Sequence, residues 1–326
     1  MKDIDILDID EKYLYENYPK AVDLLLIDNT TKKNIIWATD SYKKFGYEFN
    51  DNMYSCIIGE KNFIKPRAQK TKGEQVKRSK NNAEVFTPSW ICNLQNNIID
   101  NEWFNKKDVF NKELKNGTWE TNKSKIKFPN NKTWIDYVKD IRLEITCGEN
   151  PYIVSRYDTV TGNTISLIDR IGIFDRKLRI VNENAKSKKE WIKYSLEALK
   201  AIYGYEWQGD NLLLARENVL LSYLEYYFNK FKKMPNEDLI IEVTNIISWN
   251  LWQMDGLKCV IPCSCNNKAK QTNSSDKKTN KNECVGCKKE NAFKHNGVYS
   301  NIMDWEKNKK IRFVDLLKGG KKYNEI

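Results

Sequence analysis

Apolar positions along the middle of the chain predict three strands separated by helices, and an acidic residue lies near the end of each strand. Leu143 and Ile145 alternate with polar residues, and a Thr-Cys-Gly turn at 146–148 ends that strand. The predicted elements are a strand near 142–145, helices near 170–183 and 188–201, a strand over 202–207, a helix over 210–230 and a strand over 249–253. This alternation of strands and helices predicts an α/β fold.

The rest of the chain divides by composition into four further regions. Residues 1–64 predict a small α/β or β-rich region, in which the run at 21–42 gives two strands joined by an Asn-Thr-Thr turn. Residues 65–82 predict a basic linker before the central region at 83–258. Residues 259–300 form a cysteine-rich insertion, and residues 301–326 contain a helical segment and a Gly-Gly turn.

Charged residues are unevenly distributed along the chain. The net charge is +11, and residues 65–82 hold seven Lys or Arg against one acidic residue. Residues 259–326 hold fifteen against seven, so the remaining chain is close to neutral. Phosphate contacts supply most of the sequence-independent affinity for DNA, so these basic segments fit an anionic polymer partner such as DNA. Solvated surface loops rich in Lys and Asn are the alternative interpretation.

The sequence gives no sign of a membrane partner. No apolar run approaches the ~18 residues that cross a bilayer. The start, MKDIDILDIDEKY, lacks the basic and apolar regions of a signal peptide. We therefore expect a cytoplasmic protein, in which the eight cysteines serve as free thiols or metal ligands rather than disulfides.

Four cysteines have spacing close to that of a zinc ribbon. Cys263 and Cys265 form the first pair, and Cys284 and Cys287 form the second pair after eighteen residues. These four thiolates are the predicted ligands of a structural zinc ion. Cys259 is an alternative member of the first pair, His295 is a weaker candidate, and four free thiols are the alternative interpretation.

Carboxylates beside the Thr-Cys-Gly turn indicate the chemistry of a ligand. Glu144 and Glu149 flank this turn and offer hydrogen-bond acceptors. Acceptors suit a ligand rich in hydroxyl and amino donors, whereas a phosphate site favours lysine and additional glycine.

Four motifs occur in the order found in one enzyme family. They are Val-Phe-Thr-Pro at 85–88 ahead of a helix, Cys147-Gly148, the strand ending at Glu206 with the helix LLLAREN after it, and Met-Asp-Gly at 254–256. Thr87 and Pro88 also suit a helix N-cap and first helical position. Over residues 83–258 the chain resembles the adenine-specific (N6) DNA methyltransferases, the modification subunits of restriction-modification systems. The resemblance implies a Rossmann-like S-adenosylmethionine-dependent methyltransferase fold.

The resemblance also implies which residues bind S-adenosylmethionine. Glu206 is expected to accept both ribose hydroxyls, Asp255 to accept from the adenine amine, and Thr87 to contact the methionine end. Asn150 stands where the family has its second glycine. The complete predicted set is Phe86, Thr87, Pro88, Glu144, Cys147, Gly148, Glu149, Asn150, Glu206 and Asp255.

The catalytic turn of this family has no counterpart in the sequence. These enzymes hold a flipped adenine against an Asn-Pro-Pro-Tyr turn, and the chain has no Pro-Pro pair. Asn150-Pro151-Tyr152 is the nearest match, but using it requires a permuted motif order. Lys322 to Ile326 resembles the start of the strand that carries the catalytic turn.

We therefore expect an incomplete sheet in a truncated or split enzyme, with no catalytic residue in this chain. A companion polypeptide is expected to supply the catalytic motif. A different class remains open, in which the chain is a DNA-binding zinc protein with a methyltransferase-like scaffold and no cofactor. Cofactor binding distinguishes the two classes.

Overall fold

The computed structural model describes residues 11–55, 63–82, 84–265 and 283–319, and it is a mixed α/β structure with three small sheets in these residues. The helices are α1 (Glu11–Asn17), α2 (Pro19–Leu26), α3 (Lys72–Asn82), α4 (Ser89–Phe104), α5 (Trp134–Lys139), α6 (Ile173–Asn184), α7 (Lys188–Lys200), α8 (Gly209–Phe231), α9 (Glu237–Asn250), α10 (Val285–Lys288) and α11 (Phe313–Gly319). The strands are β1 (Asn111–Glu113), β2 (Trp119–Thr121), β3 (Arg142–Glu144), β4 (Ile202–Glu206), β5 (Leu251–Gln253), β6 (Asn301–Asp304) and β7 (Lys309–Arg312). None of the helices among these residues combines the length and apolar character needed to cross a bilayer.

The central sheet consists of the three strands that the apolar pattern predicted. They lie in the order β3-β4-β5 and all run parallel, with Arg142 opposite Ile202 and Gly204 opposite Leu251. Parallel neighbours require crossover connections, and helices supply them here. The carboxyl ends of these strands therefore lie along one edge of the sheet.

Helix α8 fills the core beside this sheet. It is buried on all sides from Gly209 to Tyr227, which explains why its sequence has no clear polar face. Arg216 is fully buried in it and donates to the main-chain oxygens of Leu25, Ile27 and Leu251. One guanidinium thus ties the N-terminal region, α8 and β5 together.

The N-terminal region differs from the expected strand pair. Residues 19–26 form α2, and the only strand-like pairs near it within the described residues are isolated bridges, such as Ile27 with Asn34. The apolar run at 24–27 fits a buried helix as well as a buried strand, and Pro19 favours a helix start. The region also packs closely on the start of α8, because a Cβ on Gly209 would lie 2.1 Å from the main-chain oxygen of Ile36.

Residues 72–82 of the basic stretch at 65–82 form helix α3, where we expected a linker. Helix α3 buries Arg78, whose guanidinium contacts Glu84 at 2.5 Å and Asp210 at 2.8 Å. The paired carboxylates compensate for burying this charge. Other basic residues of α3, including Lys77 and Lys80, are exposed.

The predicted helix after Pro88 is present as α4, with a different cap. We expected Thr87 as N-cap, but α4 begins at Ser89 and its N-cap residue, Pro88, makes no side-chain cap hydrogen bond. The Ser89 N–H instead donates to Asp158 Oδ2 at 2.7 Å, so a residue distant in sequence satisfies the helix end.

The chain after β5 folds back beside it. Val260 forms bridges with Asp255 and with Tyr299, and the β6-β7 hairpin and α11 follow. The predicted strand start at Lys322 to Ile326 lies outside the described residues, as does most of the segment between Cys265 and Cys284.

Candidate functional site

A cavity of about 1040 Å³ lies at the carboxyl ends of β3 and β4. Its walls come from the segment before α4, from the turn after β3 and from the start of α8. Six of the predicted cofactor residues line it: Phe86, Thr87, Glu144, Cys147, Gly148 and Glu206. Three stretches far apart in sequence therefore meet at one concave site.

The turn after β3 forms the floor of the cavity. Thr146, Gly148 and Asn150 all have positive φ angles, of 48°, 53° and 70°. Such a turn is strained at the non-glycine positions and brings the backbone close to the cavity. A Cβ on Gly148 would lie 3.2 Å from the Phe86 ring, so the turn and the Phe-Thr-Pro segment are in close contact.

Glu206 joins this turn to β4. Its side chain accepts from the N–H of Gly148 at 2.9 Å and from the N–H of Gln208 at 3.1 Å. Burial raises the pKa of Glu206 to about 7, although these backbone hydrogen bonds act in the opposite direction. The carboxyl group is therefore divided between its acid and ionised forms near neutral pH.

Glu144 supplies a second buried carboxyl group. It accepts from the N–H of Ile153 at 3.2 Å. Burial raises the pKa of Glu144 well above its ordinary value, and the nearby Glu206 carboxylate adds to this effect. In either protonation state both groups offer acceptor oxygens and no positive charge, which favours a ligand with hydroxyl or amino donors over one with phosphate.

Glu84 is a third carboxyl group in the cavity wall, and no sequence pattern singles it out. Its Oε2 accepts from Arg78 and from Asn211 at 3.2 Å. Its Oε1 is buried and has no hydrogen-bond partner among the described residues. This oxygen is a buried hydrogen-bond acceptor that no described group uses.

Four predicted residues lie outside the cavity lining. Pro88 is the N-cap residue of α4, and Glu149 is buried behind the turn, where it accepts from Tyr157 at 2.7 Å. Asn150 is fully buried, and neither polar side-chain atom has a partner within the described residues. Asp255 caps its own turn by accepting from the N–H groups of Leu257 and Lys258.

A second candidate site is a group of three cysteines and one histidine. Ligand atoms of Cys265, Cys284, Cys287 and His295 all lie within 4.8 Å of one another. His295 Nδ1 lies 3.6, 3.4 and 3.6 Å from the three sulfur atoms in that order. Three sulfurs and one imidazole nitrogen form a donor set that suits tetrahedral zinc, and this cluster could bind that ion.

His295 takes the place that we expected for Cys263. Cys263 is exposed in a turn with φ of 57° and is not part of the cluster. The alternative residue Cys259 is buried in a separate apolar cluster. Spacing alone favoured Cys263 and Cys265 as a ligand pair. Only one residue separates them, and only Cys265 lies in the cluster.

Local contacts prepare this cluster for a metal ion. The N–H of Asn296 donates to Cys284 Sγ at 3.4 Å, and the N–H of His295 donates to Tyr299 Oη at 2.9 Å. Burial raises the pKa of the Cys284 thiol, but hydrogen bonds from the Asn296 and Cys287 backbones and from His295 outweigh it and lower the pKa to about 6. A Cβ on Gly286 would lie 2.5 Å from the main-chain nitrogen of His295, so glycine allows this close packing.

Comparisons with known proteins give no match, whether with family models, curated proteins or solved structures. The cavity and the cysteine-histidine cluster are therefore the observations on which a function rests.

Proposed function

We propose that the cavity binds S-adenosylmethionine and that the chain is the cofactor-binding portion of an adenine-specific DNA methyltransferase of a restriction-modification system. One observation carries the proposal. The resemblance to this family singled out Phe86 and Thr87, Cys147 and Gly148, and Glu206, and all five residues line the same cavity. Such convergence is not expected of unrelated strand ends and helix caps.

The carboxyl groups of the cavity fit this cofactor. Glu206 and Glu84 offer acceptors for ribose hydroxyls or amino groups, and Glu144 adds a third acceptor. Lys80 is the only basic residue in the lining that the structure describes, so a triphosphate would face mainly carboxylates. Bound S-adenosylmethionine would supply the methyl group and its positive sulfonium centre.

The sheet supports a Rossmann-like fold for the proposed methyltransferase. Its three strands are parallel and adjacent in chain order, and the cavity lies at their carboxyl ends, where open α/β sheets bind ligands. Asp255 is the exception. Its carboxylate is engaged within its own turn, and we assign it no contact with the cofactor.

We assign double-stranded DNA as the proposed macromolecular substrate. Lys72, Lys77 and Lys80 are exposed on α3, and Lys80 also lines the cavity. Lysines at this position would contact phosphates close to the site where the methyl donor is held.

We further propose a structural zinc ion in the cluster of Cys265, Cys284, Cys287 and His295. With four protein ligands the site is closed, which is typical of structural rather than catalytic zinc. Zinc would join the chain on either side of residues 266–282.

Thermal unfolding with different ligands tests the proposal. S-adenosylmethionine and S-adenosylhomocysteine should each raise the midpoint temperature, because both contain the ribose and amino donors. ATP is the matched control, since it shares the adenosine and adds phosphates, and it should give little shift. Equal shifts with all three would indicate an unselective nucleotide site. No shift with any would favour the zinc protein that uses the same scaffold without a cofactor.

A further inference from the structure

The N-terminal region supplies part of the cavity lining, although it lies outside residues 83–258, over which the chain resembles the methyltransferases. Ala38 and Phe49 of this region both line the cavity. Trp207, which follows Glu206 at the end of β4, lines the cavity as well. These three residues therefore add two aromatic rings and one small side chain to a wall that otherwise contains several carboxyl groups.

Hydrogen bonds hold these three residues together. The N–H of Ala38 donates to the main-chain oxygen of Phe49 at 2.8 Å, and Trp207 Nε1 donates to the main-chain oxygen of Ala38 at 3.2 Å. Gln253 of β5 fixes the same junction, because its Nε2 donates to the main-chain oxygens of Ile36 and Trp207, both at 2.8 Å. Ala38 has a φ of 49°, a left-handed conformation that is strained for a residue other than glycine. The fold therefore holds both aromatic residues beside Ala38 before any ligand binds.

Phe49 and Trp207 are not core residues. Both are partly buried, and neither is among the described residues that form the two apolar clusters or pack against them. The nearby aromatic residues behave differently. Trp37 packs on Tyr42 with ring centroids 4.3 Å apart and on Tyr47 at 5.1 Å, and all three belong to the larger cluster or pack against it. The two lining rings thus keep surface for a contact that the core does not use.

The position of Trp207 selects one part of the proposed cofactor. Glu206 Oε2 accepts from the N–H of Gly148, and Glu206 Oε1 accepts from the N–H of Gln208. Gly148 contacts the Phe-Thr-Pro segment, which the resemblance assigns to the methionine end. Since Glu206 is proposed to hold the ribose, the base bonded to that ribose lies beside Glu206 and away from the methionine end. The neighbouring lining residue in that direction is Trp207.

We propose that Phe49 and Trp207 form the subsite for the adenine base of the cofactor, with Ala38 as the small residue between them. Aromatic side chains bind a base by stacking and apolar contact. This subsite supplies the contact with the base that Asp255 does not make, because the Asp255 carboxylate is engaged in its own turn. The inference rests on the proposed function and adds the N-terminal region to the cofactor site.

Titration calorimetry with S-adenosylmethionine and with adenosine tests the subsite, because both ligands carry the base and only one carries the methionine. Phe49→Ala should weaken the binding of each ligand by about tenfold, since it removes one stacking surface. Phe49→Tyr keeps the ring and should bind both ligands like the wild type. Phe45→Ala is the matched control, because Phe45 is 53% exposed in the same region and is not part of the cavity lining.

The outcomes separate this inference from the proposed function. Wild-type binding of S-adenosylmethionine that is unchanged in Phe49→Ala, or equally weakened in Phe45→Ala, overturns the inference and leaves the proposed function in place. Weaker binding of S-adenosylmethionine without weaker binding of adenosine also overturns it, because the contact would then lie at the methionine end. Binding of adenosine alone, with loss in Phe49→Ala, would remove the proposed function and keep the base subsite. A wild type that binds neither ligand overturns both.

Discussion

Burial of the Glu206 carboxyl group in the cavity wall reduces the folding stability of the chain near and above neutral pH. Its carboxyl group is buried between the Cys-Gly turn and α8, and its pKa is raised to about 7. The unfolded chain ionises this group near its ordinary pKa of 4.5. Folding stability is therefore lost as the pH rises from about 4.5 to 7, and the full cost is present above pH 7.

Replacing Glu206 with glutamine should remove this cost. The variant is expected to gain on the order of 1 to 3 kcal/mol of unfolding free energy at pH 8 and little at pH 4, since one pKa unit corresponds to ~1.4 kcal/mol. Chemical denaturation at both pH values measures the difference. A variant that is less stable than the wild type at pH 8 would show that the ionised carboxylate is well solvated.

Single residues of the site were predictable where a local pattern fixed their position. Glu206 ends a short apolar strand and Gly148 lies in a turn, so both could be placed from sequence. Glu84 could not, because its role depends on Arg78 and Asn211, which come from elements that meet only in the folded chain. His295 was underrated for a different reason, since it lies only eight residues after Cys287 but four cysteines already complete a tetrahedral site.

At the scale of elements, α3 depends on one buried ion pair network. Arg78→Met should cost on the order of 3 to 5 kcal/mol, because it leaves the buried Glu84 and Asp210 carboxylates without their cation. Lys77→Met, an exposed change on the same helix, should stay within about 0.5 kcal/mol. Urea unfolding of both variants compares them, and similar costs would contradict a structural role for the pair.

Zinc content distinguishes the cysteine-histidine cluster of the structure from the four-cysteine site that the spacing predicted. The purified chain should carry about one zinc ion, and Cys265→Ser and His295→Ala should each lose it. Cys263→Ser should keep it, because Cys263 lies outside the cluster. Metal analysis by mass spectrometry decides the matter. Retained zinc in His295→Ala together with loss in Cys263→Ser would restore the four-cysteine site expected from sequence.

Elements with a strong amphipathic or buried pattern were predicted well, and ambiguous apolar runs were not. The structure confirms the helices at 188–200 and 209–231 and the strand ending at Glu206 within one or two residues. Residues 21–26 were predicted as a strand because a short apolar run has no distinguishing period. The helix at 72–82 was missed because its stability comes from Arg78 and tertiary contacts rather than from an apolar face.

For the whole molecule, the proposed function predicts cofactor binding without methyl transfer. The sequence has no Pro-Pro pair, so no Asn-Pro-Pro-Tyr turn is present to hold a flipped adenine in line with the methyl group. Tritium transfer from labelled cofactor to unmethylated DNA should be undetectable with this chain and should appear when a polypeptide that carries the Asn-Pro-Pro-Tyr turn is added. Robust transfer by the chain alone would contradict this and direct attention to Asn150-Pro151-Tyr152.

Titration calorimetry with S-adenosylmethionine tests the central claim most directly. The wild type should bind, with weaker affinity at pH 6 than at pH 8, because an ionised Glu206 accepts better from ribose hydroxyls. Glu206→Gln should lose on the order of 1 to 3 kcal/mol of binding free energy at pH 8, whereas Asp255→Asn should bind like the wild type. No detectable binding by the wild type at millimolar cofactor, or equal losses in the two variants, would contradict the assignment of this cavity to S-adenosylmethionine.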